Sequence, residues 1–324
     1  MNGVESSKLY GTTPLVYLFN DEDFEGRDGS TAKSANVNTI NDVYRKFFPS
    51  YSLPSTGIYQ SFKYGNALFL LVDTRTFLNP DAKSFLGSTQ INWLVSNLQQ
   101  ASTDSSVGAV FICLTQVWNY VPSAYDWDSI KQNYYSVLEF ANEDKKKVGD
   151  TVANSFNFNR PTLPNFKSVM MIVGEHHTAF DDGSWNNFGN FPIAVCGPLD
   201  YWQQCRGGPY SHGSFHDNEN NFCLFNLYTE STSGNTCVTA KGVVSSLNPK
   251  RGDQTVWVYD TCKPDTYKGK IHLKCPIDYK EKIMHAFITI AITIVLFLIF
   301  FVAIYNSSIK AFSYQHLDQD DKNK

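Results

Sequence analysis

Four short apolar runs along the chain each end in polar residues, and this pattern predicts the strands of a buried sheet. The runs span residues 15–19, 67–72, 107–114 and 169–173. Short continuous runs rich in β-branched and aromatic residues are typical of strands that are buried on both faces. Polar groups at the carboxyl ends of such strands are also the usual location of an α/β active site. The pattern therefore predicts an α/β fold.

Other segments have the periodicity of helices or of exposed strands. Residues 88–100 place apolar side chains on one face at helical spacing, and residues 128–143 predict a second helix. Residues 221–244 alternate between polar and apolar positions, which predicts antiparallel strands joined by a Ser/Gly/Asn turn. Residues 246–282 are polar and contain several lysines, and within them 256–259 (VWVY) predicts an edge strand.

The longest apolar stretch lies near the C-terminus. Residues 283–305 read IMHAFITIAITIVLFLIFFVAIY, without Lys, Arg, Asp or Glu. A helix of this length rises roughly 34 Å, enough to cross a hydrocarbon core of about 30 Å. We therefore predict one transmembrane helix over 283–305, with residues 246–282 as a juxtamembrane stalk and 306–324 as a short tail. The alternative is a buried core helix, but core helices are seldom apolar on every face.

Two features predict opposite orientations in the membrane. More lysines precede the apolar stretch than follow it, which by the positive-inside rule places the large domain in the cytosol. Cys113 lies in an apolar run and reads as a buried free thiol. The remaining cysteines lie in polar sequence and suit three disulfides in an oxidising compartment, with fifteen pairings open: Cys196, Cys205, Cys223, Cys237, Cys262 and Cys275. On balance we expect a single-pass membrane protein whose large domain is extracellular or luminal.

The overall charge excludes one class of partner. Only 18% of residues are charged, and the formal net charge is −4. Nucleic-acid-binding domains carry a basic excess, so we do not expect nucleic acid as a partner. Aromatic residues make up 15% of the chain, enough for both a core and the lining of a cleft.

Two of the apolar runs lead into residues that bind metals in other proteins. Residues 15–19 run into Asn20-Asp21-Glu22-Asp23, and residues 169–173 run into Gly174-Glu175-His176-His177. Successive carboxylates repel one another unless solvent or a cation neutralises them, and hard divalent cations prefer oxygen ligands. Each segment alone also reads as a solvated polar turn. Together at one sheet edge, they predict a metal site.

A longer set of motifs carries a family resemblance. Residues 59–75 (YQSFKYGNALFLLVDTR) end in Asp-Thr-Arg, and residues 86–94 (LGSTQINWL) open the predicted helix. Tyr44-Arg45 and Phe48-Pro49 precede them, and residues 191–200 (FPIAVCGPLD) follow. This order and spacing resembles the PhoD-like alkaline phosphatases, which are calcineurin-like metallophosphoesterases. The resemblance covers roughly residues 14–245, and we take residues 1–245 as the phosphatase-like domain.

The resemblance implies a fold and a reaction. The fold is a four-layer α-β-β-α sandwich of two sheets flanked by helices, here followed by the transmembrane helix. The reaction is hydrolysis of phosphate mono- or diesters, in which two close metal ions activate the attacking water. The implied cofactors are divalent metal ions, with calcium, iron, zinc and manganese as candidates. A phosphate ester is the implied substrate.

Individual residues match the family's metal-binding blocks in part. By resemblance the metal ligands are Asp21, Asp23, Glu175 and His177, while Glu22 stands where the family has a histidine that serves acid catalysis. The family's first block, a Gly-Asp-x-x-Tyr strand end, has no counterpart upstream of Asp21.

Two further residues are candidates for the catalytic site. Asp73 and Arg75 are expected to organise the cleft or to steady the phosphate, since an arginine fork suits phosphate oxygens. The alternative for this pair is a structural salt bridge under the sheet edge.

Three functions remain open on the sequence. The first is a membrane-anchored phosphatase that functions once the missing N-terminal block, together with a signal peptide that the polar start lacks, is supplied. The second is a catalytically inactive pseudophosphatase that acts as a membrane-anchored binding or scaffold protein, which the Glu22 replacement favours. The third is a cytosolic tail-anchored protein of another role, which the cysteines disfavour.

Overall fold

The computed structural model of the chain divides into two units, Met1–Leu273 and Lys274–Lys324. It describes residues 15–19, 23, 35–48, 50–79, 82, 84–116, 118, 142–163, 166–174, 178–184, 188–197, 210–215, 220–245, 252–269, 288–290, 292–297, 300, 302 and 304–305.

A seven-stranded mixed sheet forms the centre of the first unit. Its strands lie in the order β1-β2-β3-β4-β6-β5-β7. Strands β2, β3, β4 and β6 are parallel to one another, whereas β1, β5 and β7 each pair antiparallel with a neighbour. The strands are β1 (Gln60–Tyr64), β2 (Ala67–Leu71), β3 (Ala109–Leu114), β4 (Ser168–Gly174), β5 (Thr178–Asp181), β6 (Ile193–Cys196) and β7 (Ser214–Phe215).

Two helices, α2 (Gly87–Thr103) and α3 (Asn142–Ser155), pack on one face of this sheet. A third α-helix described in the first unit, α1 (Val37–Phe47), packs through Tyr44 in a separate cluster with Phe19 and Ile58. Apolar side chains of α2, such as Leu94 and Leu98, share one buried cluster with Val148 and Val152 of α3 and with the facing side chains of β2, β3 and β4. The face of α2 that the sequence predicted to be apolar is therefore the face that packs on the sheet.

A second sheet covers the other face. It contains β8 (Asn220–Thr229), β9 (Thr236–Ser245), β10 (Asp253–Asp260) and β11 (Lys268–Gly269), all antiparallel, in the order β11-β10-β9-β8. Between the sheets, Phe111 and Met170 pack with Ala240, Trp257 and other buried side chains of β9 and β10. Among the described residues, the layers of the first unit are thus helix, mixed sheet and antiparallel sheet.

This architecture corrects the predicted fold. The four-layer α-β-β-α sandwich with a transmembrane helix is wrong: the described residues show mixed sheets and few helices, and the described helices that share a core with the mixed sheet belong to the cluster on one of its faces. On the second sheet, Leu224 is 53% exposed and Lys241 is also exposed. An apolar strand shows that both its faces are buried, but it does not show whether helix or sheet covers each face.

Most of the predicted strands and one predicted helix are confirmed. The runs over 67–72, 107–114 and 169–173 form β2, β3 and β4, and 88–100 lies within α2. The alternating segment 221–244 forms the β8–β9 pair. Residues 256–259 form part of a strand, as predicted, but β10 lies between β9 and β11 and is not the predicted edge strand. Residues 253–260, predicted within the stalk, contribute buried side chains to the core between the sheets.

Two predicted elements turn out differently. Residues 15–19 are not assigned to a strand. The Tyr44 hydroxyl binds the Tyr17 carbonyl oxygen, and the Thr115 hydroxyl binds that of Phe19. The helix predicted over 128–143 falls almost entirely outside the described residues, since only 142 and 143 are described, at the start of α3.

The second unit contains helical residues at 288–290, 292–297, 300, 302 and 304–305. Within the part of the chain that the structure describes, no helix combines the length and the apolar character needed to cross a membrane. The predicted transmembrane helix over 283–305 is therefore wrong, and so is the single-pass membrane localisation that depended on it. A spanning helix needs about 20 consecutive residues, and the longest described helical run here is 292–297.

Two disulfides of the predicted three lie within the described residues. Cys196–Cys223 joins β6 of the mixed sheet to β8 of the second sheet, and Cys237–Cys262 joins β9 to the turn after β10. Cys113 is free, as predicted, and burial raises the pKa of its thiol to about 12. Cys205 and Cys275 lie outside the described residues. The two bonds are compatible with an extracellular or other oxidising location.

Gly242 provides a test of the packing between the sheets. It pairs with Trp257 across β9 and β10, and an added Cβ would lie 2.1 Å from the Trp257 indole nitrogen. Because Trp257 is buried against Phe180, we expect Gly242→Ala to lower the free energy of unfolding by about 2 kcal/mol. The measurement is urea denaturation. Gly174→Ala is the matched control, since nothing lies within 4 Å of its added Cβ; equal stability of the two variants would contradict this packing.

Candidate functional site

The four parallel strands β2, β3, β4 and β6 end at one edge of the mixed sheet, which we call the carboxyl edge. After β2 comes Asp73-Thr74-Arg75, and after β3 come Thr115 and Gln116. The pairing of Leu114 with Val173 brings the end of β4 beside the end of β3. Adjacent parallel strands lie about 4.8 Å apart, so the polar segments that follow the strands begin side by side.

The segment 15–19 is attached to the same edge. The Thr115 hydroxyl donates a hydrogen bond of 2.9 Å to the Phe19 carbonyl oxygen, and it lies 3.0 Å from the Thr74 hydroxyl. The Tyr44 hydroxyl donates to the Tyr17 carbonyl oxygen at 2.5 Å. Phe19 is buried with its ring edge against Tyr44. The segment 15–19 thus ends at the carboxyl edge, directly before residues 20–23, the predicted acidic turn.

Only one of the four predicted metal ligands lies within the described residues. Asp23 accepts hydrogen bonds of 3.0 Å from the Tyr17 hydroxyl at both carboxylate oxygens. Asp21, Glu175 and His177 lie outside the described residues. Among the side chains that are described, no group of three or more His, Cys, Asp or Glu could hold a metal ion. The described residues on their own therefore do not form the predicted metal site, and Asp23 is the one predicted ligand among them.

Asp73 has a structural role in the turn after β2. It is buried, and its carboxylate accepts hydrogen bonds from the backbone N–H groups of Ile58, Arg75 and Thr76 at 2.9, 3.0 and 2.9 Å. A carboxylate that accepts several N–H groups fixes a turn. These bonds direct the oxygens of Asp73 towards the chain itself, so this residue does not fit a metal ligand or an exposed catalytic acid.

Gln90 fixes the main chain of the same turn. Its side-chain oxygen accepts from the Asp73 N–H, and its amide nitrogen donates to the Asp73 carbonyl oxygen, both at 2.7 Å. The same amide also donates to the Leu86 carbonyl oxygen at 3.1 Å. The first turn of α2 is thereby joined to the end of β2. Arg75, the second predicted catalytic residue, is 1% exposed beside this junction.

The negative charge of Asp73 also acts on nearby tyrosines. Burial raises the pKa of Tyr44 to about 12; a hydrogen bond from Gln60 opposes this shift, and the charge of Asp73 adds to it. Burial and the same charge raise the pKa of Tyr59. Both hydroxyls therefore stay protonated at neutral pH, and Tyr44 keeps the proton that it donates to Tyr17.

A buried lysine is a feature that the sequence reading missed. Lys145 of α3 is 1% exposed, its ammonium group lies 5.4 Å from the centre of the Phe188 ring, and burial lowers its pKa to about 8. Next to it, the Asp144 carboxylate accepts from the backbone N–H groups of Phe85 and Leu86, just before α2. No signal in the sequence separates Lys145 from Lys146 and Lys147, because the apolar periodicity of α3 is weak.

Comparison with known proteins does not add a family to this geometry. No protein-family model matches the chain, and no curated protein sequence matches it. The resemblance to PhoD-like phosphatases therefore remains an inference from the motifs quoted above.

The structural role of Asp73 can be tested by Asp73→Asn. The amide has one acceptor oxygen where the carboxylate has two, so at least one buried N–H group loses its partner. We expect the free energy of unfolding to fall by about 2 kcal/mol, measured by urea denaturation. The control is Asp42→Asn, whose side chain is 77% exposed in an ion pair with Arg45 and is expected to change stability by about 0.5 kcal/mol or less. An Asp73→Asn protein as stable as this control would contradict the structural role.

The buried Lys145 predicts a specific pH dependence of stability. Its pKa is about 8 in the folded chain against a reference value of 10.5, so the unfolded chain binds more protons between these values and stability rises with pH through this window. Across this window the free energy of unfolding is expected to increase by about 3 kcal/mol. We expect Lys145→Met to reduce the slope of unfolding free energy between pH 8 and 10.

The matched control for this measurement is Lys146→Met. Lys146 is exposed on the same helix and pairs with Asp150, so its loss is expected to leave the slope unchanged. The range ends at pH 10 because tyrosines with raised pKa values, such as Tyr44, lower stability above it. A wild-type chain and a Lys145→Met chain with the same slope would contradict the assigned shift.

Proposed function

We propose that the first unit is a phosphate ester hydrolase of the PhoD-like type, with its reactive centre at the carboxyl edge of β2, β3 and β4. The observation that carries the proposal is the hydrogen bond from Thr115 to the Phe19 carbonyl oxygen. This bond holds the segment before the acidic turn against the strand that neighbours β4. The two segments with metal-binding residue types therefore start from adjacent positions.

Chain connectivity supports this proximity. Asn20 follows Phe19, and Glu175 follows Gly174, the last residue of β4. Asn20 directly follows the residue whose carbonyl oxygen Thr115 binds. Glu175 comes two residues after Val173, which pairs with Leu114, the residue before Thr115. Both segments therefore start near the Thr115 hydroxyl. Carboxylates and imidazoles within such reach are the groups that metal-assisted phosphoryl transfer uses. The proposal accordingly includes divalent metal ions as cofactors, with Asp21, Asp23, Glu175 and His177 as their ligands.

The described residues have supporting roles in this proposal. Asp73 and Gln90 keep the turn after β2 in one conformation, and Thr74 and Thr115 connect that turn to the segment that ends at Phe19. A reactive centre needs its groups held within a fraction of an ångström. Buried and partly buried hydrogen bonds that join four separate segments of the chain are suited to that purpose.

A second candidate function is a catalytically inactive relative that acts as a binding or scaffold protein. It is favoured by the engagement of Asp73, whose carboxylate is committed to three backbone N–H groups, and by Glu22 in the place of the family's histidine. In this case the fold and the carboxyl edge persist as a recognition surface without turnover.

The proposal is tested by hydrolysis of para-nitrophenyl phosphate and of its bis ester by the purified full-length chain. Calcium, iron, zinc and manganese are supplied separately. We expect turnover with at least one ion, and its loss in Asp21→Ala and His177→Ala. Thr115→Val is expected to lower turnover by about tenfold or more, because it releases Phe19 and displaces the acidic turn.

Thr103→Val is the matched control for Thr115→Val. Its hydroxyl donates to the Gln100 carbonyl oxygen at the end of α2, away from the carboxyl edge, so turnover is expected to remain unchanged. Circular dichroism checks that each variant is folded. A folded wild-type chain that neither binds any of these ions nor hydrolyses either ester would overturn the proposal and favour the inactive relative.

A further inference from the structure

A groove of about 600 Å³ lies between two turns of the first unit. One wall is residues 159–163, which precede β4, and the other is residues 262–266, which follow β10. We call it the turn groove. Its volume lies within the range of small-molecule sites, about 300–1,000 Å³.

The turn groove lies at the opposite edge of the mixed sheet from the carboxyl edge. Residues 159–163 lead into the first residue of β4, Ser168, whose hydroxyl lies 2.6 Å from that of Thr261, directly before the second wall. The carboxyl edge lies at the other end of β4, after Gly174. The groove is therefore separate from the proposed reactive centre, and the inference below does not depend on the proposed function.

Both walls of the groove are held in place. Cys262 is bonded to Cys237 of β9, and the Thr266 hydroxyl donates to the Lys263 carbonyl oxygen at 2.6 Å. On the other wall, the Asn235 side chain donates to the Pro161 carbonyl oxygen at 2.8 Å. A preformed groove loses little conformational entropy when a ligand binds.

The charges in the groove differ in sign from those of the whole chain. Arg160 and Lys263 each contribute a cation from opposite walls, and Asp265 contributes the one carboxylate among the described lining residues. Within the described residues, neither cationic side chain has a hydrogen-bond or ion-pair partner. The chain as a whole has a formal net charge of −4, so a positive groove stands out from it. The apolar part of the lining includes Leu163, which is 36% exposed.

We propose that the turn groove binds a small organic ligand that carries a phosphate or sulfate group. The tetrahedral oxyanion bridges Arg160 and Lys263, since a guanidinium fork and an ammonium group both suit such oxygens. The organic part of the ligand lies against Leu163 and the adjacent prolines. Asp265 opposes the anion and keeps its affinity moderate.

The test is titration of the ¹⁵N-labelled full-length chain with phenylphosphonate, which has no ester bond to hydrolyse, and separately with phenyl sulfate. We expect saturable shifts of backbone amide signals in residues 159–163 and 262–266, with a dissociation constant of about 1 mM or tighter. The tighter of the two probes identifies the natural anion. Arg160→Gln and Lys263→Gln are each expected to weaken binding by about tenfold, and Asp265→Asn to strengthen it.

Lys241→Gln is the matched control, because Lys241 is an exposed cation on β9 that does not line the groove. Its binding is expected to equal that of the wild type at constant ionic strength. Any ester hydrolysis should be unchanged in Arg160→Gln, which separates this site from the proposed reactive centre. The proposal is overturned if no saturable shifts appear in the two walls, or if Lys241→Gln weakens binding as much as Arg160→Gln does.

Discussion

The buried hydrogen bonds between Gln90 and the main chain of Asp73 hold together the end of β2 and the start of α2. Both residues lie in the interior, where an unpaired amide or N–H group is costly. The two bonds together therefore fix the position of the Gln90 side chain relative to the Asp73 main chain. With its main chain fixed, Asp73 directs its carboxylate at the N–H groups of Ile58, Arg75 and Thr76. The remaining geometry of the carboxyl edge, including Thr74 beside Thr115, is built on this junction.

The two opposite edges of the mixed sheet carry different chemical groups. At the carboxyl edge, the ends of parallel strands and the segment up to Phe19 meet through hydroxyl groups. At the opposite edge, two turns form a groove that contains two cationic side chains. The disulfides hold this arrangement, because one joins the sheets and the other attaches a groove wall to β9. The proposed reactive centre and the proposed anion site therefore lie at opposite ends of β4.

Parts of the candidate site were predictable, and other parts were not. The continuous apolar runs that became β2, β3 and β4 placed Asp73 and Thr115 at one edge, because parallel neighbours end together. The sequence did not reveal that Asp73 is occupied by backbone N–H groups, since a buried acceptor and an exposed catalytic acid are the same residue in a sequence. It also gave no sign of the burial of Lys145, which arises from packing against Phe188.

By itself the sequence determined the strands with continuous apolar runs, the alternating β8–β9 pair, the amphipathic helix α2 and the free thiol of Cys113. These follow from local patterns of side chains. The tertiary structure alone decided that an antiparallel sheet covers the second face of the mixed sheet, which cysteines pair between the sheets, and that residues 253–260 belong to the core. It also contradicted the transmembrane helix within the described residues. Such features depend on contacts between segments far apart in the chain. The apolar residues of a segment predict that it is buried, but they do not predict which segment packs against it.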